Sequence, residues 1–281
     1  MKKQRFKPTI IETKKKSAKV AIKGYTQMEC IGLVTGAASG IGLKTAKRLL
    51  KKGWVVYGLD NDDNNLHQAE GEIDNTNFIP KSCDLRNEQA LMGVLSDIKR
   101  NQQKINALIA CAGVLKLGAL EEMSTEDFDL VFDINVRGLW LSAKGTLPLL
   151  KTAAISDEIS RIILLSSVSA LRPKIDSGAY SASKAAVSQL TRVLSVECAK
   201  YGITVNAIAP GTVNTPMVNK KNTLERRGNW RPSGPSPLGR IAQPSDVVNV
   251  IEFLLSEEAA YVTGTTIPVD GGTQAAFIPP T

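Results

Sequence analysis

The amino-acid sequence predicts an α/β fold: a single doubly wound parallel sheet of about seven strands with helices on both faces. Three observations carry this. Short, near-continuous apolar runs alternate with amphipathic stretches of helical period from Ile31 to the end of the chain. A glycine cluster sits where the first run meets the first helix. A chain of 281 residues, 43% hydrophobic, can bury the core of one large domain.

In chain order, Ile31–Thr35 reads as the first strand, and a helix over Gly42–Lys51 follows the glycine turn. Trp54–Asp60 and Asn77–Cys83 are the next two strands, then a helix spans Glu88–Gln102. Ala107–Cys111 is a buried strand leading to a long helix over Thr125–Leu147. Arg161–Ser166, a helix over Ala179–Lys200 and Thr204–Ala209 continue the alternation, which ends with a helix over Ser245–Ser256 and a strand at Thr265–Val269. Residues 212–240 break the rhythm with four prolines and three glycines, too many for a simple connection. Because this stretch follows the C-terminal end of a strand, where ligands bind in open α/β sheets, it is expected to be a lid.

Composition narrows the chemistry. Four widely spaced cysteines without a CxxC pair fit reduced thiols in a cytoplasmic protein better than a disulfide framework. A single histidine, His67, argues against a His-based metal site or a Ser-His-Asp triad, so no metal is expected. No apolar run approaches the ~20 residues of a membrane span. The net charge of +8 is local, since residues 1–28 hold nine Lys/Arg and one acid, Glu12, leaving the remainder neutral. Such a lysine-rich segment reads as a disordered, solvated tail. Nonspecific attraction to nucleic acid or an anionic membrane is the less favoured alternative, and Met28 offers an alternative start. The domain proper is then 29–281.

The turn Thr35-Gly-Ala-Ala-Ser-Gly-Ile-Gly42 combines glycines, which allow close backbone approach, with a helix N-terminus that offers N–H groups to a pyrophosphate. Asp60 closes the second strand eighteen residues after Gly42. A carboxylate there accepts hydrogen bonds from an adenosine ribose and repels the 2′-phosphate of NADP, so the expected cofactor is NAD. Farther on, Tyr180 and Lys184 stand four residues apart on one helix face. A cation beside a phenol favours the phenolate and lowers its pKa towards the working range of a proton-transfer group.

Together these residues resemble the short-chain dehydrogenase/reductase family over about Glu29 to Thr273. The resemblance rests on Thr-Gly-x-x-x-Gly-x-Gly at 35–42, Cys-Asp-Leu at 83–85, Ala-Gly at 112–113, Asn135, Ser167, Tyr180-x-x-x-Lys184, Pro210-Gly211 and Val-Asp-Gly-Gly at 269–272. It implies a Rossmann-like domain in which Tyr180 is the general acid/base and Lys184 holds the nicotinamide ribose. Ser167 would hydrogen-bond the substrate oxygen, and Asn135 would kink its helix and hold a water linking Lys184 to solvent. Gly36, Ser39, Gly40, Ile41 and Gly42 would cradle the pyrophosphate. Asp84 and Leu85 would lie at the adenine, Ala112 and Gly113 along the adenosine ribose, and Pro210, Val213 and Thr215 near the nicotinamide carboxamide. Ala110-Cys111-Ala112-Gly113 departs from the family's usual Asn-Asn-Ala-Gly, and Cys111 reads as a small buried filler.

The resemblance implies interconversion of a secondary alcohol and a ketone, in a homotetramer that pairs its long helices and buries Phe277–Thr281. It does not choose a substrate. Contacts are expected from Ser169–Arg172, from Met217 up to Arg240, and after Gly113. Lys220, Lys221, Arg226, Arg227, Arg231 and Trp230 are either a solvated charged lid or contacts for an anionic substrate. The alternative function is a catalytically silent NAD-binding sensor or scaffold, tethered to nucleic acid by residues 1–28.

Overall fold

A computed structural model describes residues 29–156, 158, 160–219 and 236–276. The N-terminal tail, most of the expected lid with its cationic residues, and Phe277–Thr281 lie outside the described residues.

Seven parallel strands form one sheet in the order β3-β2-β1-β4-β5-β6-β7. They are β1 (Ile31–Thr35), β2 (Val55–Asp60), β3 (Phe78–Ser82), β4 (Ala107–Ala110), β5 (Arg161–Leu165), β6 (Thr204–Pro210) and β7 (Thr266–Val269). The order turns back at β1, where β4 pairs on the side opposite β2. That reversal opens a crevice at the C-terminal ends of β1 and β4, the standard ligand site of such sheets.

Successive side chains on each strand enter different cores, as the pleat requires. Leu33, Tyr57, Leu108, Ile162 and Val205 face one layer, made by α3 (Glu88–Gln102), α5 (Leu139–Ile155) and α6 (Gly178–Ala199). Val34, Val56, Ile109, Ile163 and Ile208 face the other, which includes α1 (Gly40–Lys51), α2 (Asp63–Ile73) and a helix over Pro244–Leu254. In chain order the remaining helices are α4 (Thr125–Phe132) and the short α7 (Pro216–Asn219), so Pro244–Leu254 is α8. Burial of both faces explains the near-continuous apolar strands. Arg48 of α1 pairs with Glu252 of α8 and donates to Asn249 at 3.3 Å, tying that layer together.

The expected strands and most helices form within a few residues of their predicted ends, with two differences. Helix α2 has no counterpart in the sequence pattern. It begins on an Asp62 cap that accepts the Asn65 amide at 3.1 Å, and it buries only Leu66 and Ala69, so its sequence reads as a polar connection. The single helix expected over Thr125–Leu147 is instead α4, a π-helical turn at Asp133–Gly138, and α5. Helix α5 runs through Pro148 to Ile155 because Leu149, Leu150 and Ala153 are buried beyond the proline.

Candidate active site

The phosphate turn is built by exclusion of side chains. Gly36 has φ +69°, and a Cβ there would stand 2.9 Å from the Ala112 amide nitrogen. A Cβ on Gly42 would stand 2.0 Å from the Gly36 carbonyl oxygen, so no other residue fits. Ser39 enters α1 in extended conformation, its side chain makes no capping bond, and no acid occupies the first turn. The amides of a first helical turn have no intrahelical partner. Here they remain available, with the helix dipole, to an anion.

An open cleft of about 280 Å³ runs from this turn along the ends of β1, β2 and β4. Gly36, Ser39, Gly40, Ile41, Gly42, Asp60, Asp84, Leu85, Ala112, Gly113 and Thr215 all line it, as expected. Val114, Ile134 and Asn65 line it too, beyond the residues the motifs mark. They belong to a loop, the π turn and the polar helix α2, for which the sequence carries no motif. Asp60 Oδ2 accepts the Ala38 amide at 3.0 Å and Oδ1 accepts the Asp62 amide at 3.1 Å. The Asp84 carboxylate is engaged by Arg86, whose Nε lies 3.0 Å and Nη2 2.6 Å from Oδ2, and this hydrogen bonding holds it below the usual carboxylate range. Thr215 closes the cleft from the other side, its methyl 3.2 Å from where a Gly40 Cβ would be. Pro210 ends β6 and Val213 is buried in a bridge with Ala242; neither lines the cleft. The residues present therefore fit a dinucleotide, with a tight glycine turn and unpartnered first-turn amides for its phosphates and the Asp60 carboxylate also lining the cleft.

The second cluster stands beside this cleft, behind Gly113, and Tyr180 and Lys184, also expected to hold the cofactor, do not line it. Ser167 follows β5 and caps the turn Val168–Ala170, its Oγ accepting the Ser169 amide at 3.1 Å. The same side chain also acts on the Tyr180 phenol, opposing the rise that burial causes. Its neighbour Ser166 bonds elsewhere, its Oγ donating to the Lys184 carbonyl at 2.9 Å and meeting Ser188 Oγ at 2.9 Å. Adjacent residues on an extended chain point oppositely, which separates the two serines.

Lys184 is 3% exposed, and its Nζ donates to the Leu165 carbonyl at 2.7 Å. It lies 5.7 Å from the Tyr180 ring centroid. Burial pulls the lysine down to about 8. Burial also raises the Tyr180 phenol, with Ser167 opposing it. The expected net lowering of the phenol is thus not what the polypeptide alone produces: desolvation outweighs the opposing effect of Ser167, and the ammonium donates to a carbonyl. Gly113 admits both polar groups, since a Cβ there would stand 3.1 Å from Asn135 Oδ1 and 3.4 Å from Lys184 Nζ.

Asn135 is fully buried in the π turn, so the helix is irregular where the resemblance implied a kink. Its Oδ1 accepts the Val114 amide at 2.8 Å, and Nδ2 donates to the Val114 carbonyl at 3.0 Å and to Ser183 Oγ at 3.1 Å. Ser183, inside the Tyr-x-x-x-Lys stretch, is a partner the motif does not reveal. Cys111, expected as a buried filler, is instead only half-buried and lines the cleft, with desolvation pushing its thiol up to about 12. The amide tie that an Asn there would supply is replaced by Thr35, whose Oγ1 accepts the Ala112 amide at 3.2 Å. Arg172, expected near substrate, instead donates to the Thr273 and Ala276 carbonyls. Among the described residues no group of three His, Cys, Asp or Glu could hold a metal, and no helix is long and apolar enough to cross a membrane.

A glycine turn at the reversal of a doubly wound sheet, beside a Ser-Tyr-Lys cluster, defines a nucleotide-dependent oxidoreductase. A family model described as enoyl-(acyl carrier protein) reductase matches residues 36–274. The chain belongs to the short-chain dehydrogenase/reductase family. It is 34% identical over 245 residues to a cyclopentanol dehydrogenase of Comamonas sp. strain NCIMB 9872, covering 85% of this chain and 95% of that one. It is 33% identical over 240 residues to the 3-oxoacyl-(acyl-carrier-protein) reductase FabG of Rickettsia felis, with the same coverage of each. Among solved structures, 3-ketoacyl-(acyl-carrier-protein) reductase from Brucella melitensis complexed with NADH superposes with a TM-score of 0.80 at 30% identity, covering 88% of this chain and 100% of that one.

Proposed function

We propose that this chain is an NAD-dependent oxidoreductase that interconverts a secondary alcohol and a ketone. The observation that carries the reading is the Tyr180 phenol, acted on by Ser167 and with buried Lys184 Nζ 5.7 Å from its ring centroid, beside the cleft that Asp60 lines. Asp60 would take the adenosine ribose hydroxyls and repel a 2′-phosphate. The uncapped turn at Gly40–Gly42 would hold the pyrophosphate.

A bound nicotinamide supplies or accepts the hydride; the protein positions the substrate and moves the proton. In the oxidation direction Tyr180 as phenolate takes the hydroxyl proton, and in reduction its neutral form donates to the carbonyl oxygen. Ser167 donates to that oxygen as its charge develops. Below about pH 8 Lys184 is mainly cationic, which favours the phenolate and suits a ribose hydroxyl acceptor. Asn135 supports Lys184 through Ser183 and the Val114 loop.

The substrate class follows the named relatives only in outline, a CH–OH carbon opposite a carbonyl. Exposed Phe128, Trp140, Val193 and Val196 on α4, α5 and α6 support a homo-oligomer, proposed as a tetramer. Four free cysteines support a reducing, cytoplasmic setting. The test is a panel of secondary alcohols and ketones, starting with cyclopentanol, read by NADH absorbance with NAD and NADP in parallel. Turnover with NAD is expected. NADH binding without turnover of any alcohol or ketone would favour the silent sensor.

A further inference from the structure

Two segments far apart in sequence meet beside the Ser167 turn. The first runs from Ser167 to Arg172. Ala170 N donates to the Ser167 carbonyl at 3.0 Å, and Leu171 N and Arg172 N both donate to the Val168 carbonyl, at 2.9 and 2.8 Å. The second follows β7. Asp270 pre-forms it: Oδ1 accepts the Gly272 amide at 3.0 Å, Oδ2 accepts the Gln274 amide at 2.6 Å, and Thr273 Oγ1 donates to its carbonyl at 2.7 Å. Gly271 and Gly272, at φ +60° and +91°, let the chain double back there. The side chain of Arg172 joins the two, its Nη1 donating to the Thr273 carbonyl at 2.7 Å and to the Ala276 carbonyl at 3.0 Å.

We infer that Arg172 is a positioning residue for Ser167, anchoring the Ser167 turn to the segment after β7 and so fixing where the Ser167 hydroxyl stands. The inference rests on the role proposed above for Ser167. The turn's own backbone bonds set its shape, and it lies against α6 and β6. The guanidinium adds a further tie, to the segment after β7, by donating to two carbonyls of a stretch whose shape Asp270 sets. Both bonds are charge-assisted and so stronger than neutral ones. Commitment to these carbonyls also occupies a cation that the sequence places against substrate. Displacement of a catalytic group by about 1 Å can cost a hundredfold in rate, so even a modest loosening of the turn is measurable.

The experiment uses the full chain with Arg172→Met, which removes every donor, and Arg172→Lys, whose ammonium can still serve both carbonyls. Turnover of cyclopentanol and related secondary alcohols with NAD, NADH affinity and amide hydrogen exchange are measured on each. Arg172→Met should lower kcat about tenfold while NADH affinity stays within about twofold, and Arg172→Lys should recover most of the loss. Exchange should accelerate in Arg172→Met within 167–172 and 271–276 together. Unchanged kcat, or equal loss of kcat and NADH affinity, would overturn the inference, as would unchanged exchange in both segments. Should the unaltered chain oxidise no alcohol, the reading of the site fails, and exchange alone then decides whether the anchor exists.

Discussion

The Asp60 carboxylate accepts the Ala38 amide at 3.0 Å, so the end of β2 and the phosphate turn form one hydrogen-bonded unit. On the proposed NAD reading, cofactor discrimination and turn geometry meet in one side chain. Asp60→Ala removes the charge that repels a 2′-phosphate and also orphans the Ala38 amide. Asp60→Asn removes the charge but keeps one acceptor. Asp60→Asn is expected to narrow the NAD over NADP preference by at least about tenfold, with modest loss of NADH affinity, and Asp60→Ala to lose both. Titration of each variant with NADH and NADPH checks this, and an unchanged preference in Asp60→Asn would remove the ribose role from Asp60.

Tyr180→Phe keeps the ring and its packing and deletes only the phenol oxygen. Turnover should fall by about 10³ or more, within the range that a general acid/base supplies or beyond it, while NADH affinity survives. Steady-state kinetics beside a binding titration separates the two quantities. Retained turnover would mean that the proton goes elsewhere.

Two neighbouring serines should fail in different ways. Ser167→Ala is expected to cost about 10² in kcat with little change in stability, since its hydroxyl acts on Tyr180 and bonds one local amide. Ser166→Ala removes the bonds to the Lys184 carbonyl and Ser188, both buried, and should cost about 1–2 kcal/mol of stability with a smaller effect on kcat. Denaturant unfolding and kinetics on the pair give the crossover, and equal kinetic losses would show that the division of labour is mistaken.

Much of this is legible from residue order alone because strands, glycines and motif spacing are local signals. The alternating apolar runs mark the sheet, and Gly36, Gly40 and Gly42 mark the turn, because backbone approach leaves only one residue type. What escapes is either polar or long-range. The helix after Asp62 buries two side chains and so has almost no periodic signal. The π turn at Asn135 depends on bonds to Val114 and Ser183, 21 and 48 residues away. The balance at Tyr180 differs from expectation for the same kind of reason. Spacing shows that a cation is near, but not that burial dominates the phenol or that Leu165 takes the ammonium.

Lys184 gives a pH signature. Its folded-state value of about 8 lies below the ordinary 10.5. Between these values the unfolded chain binds more protons than the folded one, so stability due to Lys184 rises as pH increases through that window. At about 1.36 kcal/mol per pH unit the gain is capped near 3 kcal/mol. Tyr180 and the raised cysteines pull the other way above their ordinary values, and burial, the largest cause of their shifts, is shared by the unaltered chain and Lys184→Met. The difference in unfolding free energy between these two proteins should thus move in favour of the unaltered chain from pH 8 to pH 10. A flat difference would place the ammonium in water.

Asn135 offers the sharpest separation of shape from charge. Its side chain satisfies both backbone groups of Val114, in the loop that carries Gly113 past Lys184. Asn135→Leu keeps the approximate volume and leaves the Val114 amide and carbonyl without these partners. Each orphaned buried group costs about 1–3 kcal/mol, so a loss of several kcal/mol is expected. Asn135→Asp keeps the bond from the Val114 amide and turns the donor edge into an acceptor facing the Val114 carbonyl. That repulsion falls on the loop beside Lys184, so kcat should suffer more, relative to stability, than in Ser166→Ala. Unfolding curves and turnover for the three variants test the ordering. Full turnover in Asn135→Asp at unchanged stability would show that the π turn can spare its only asparagine, and that the Val114 loop is held by something other than this amide.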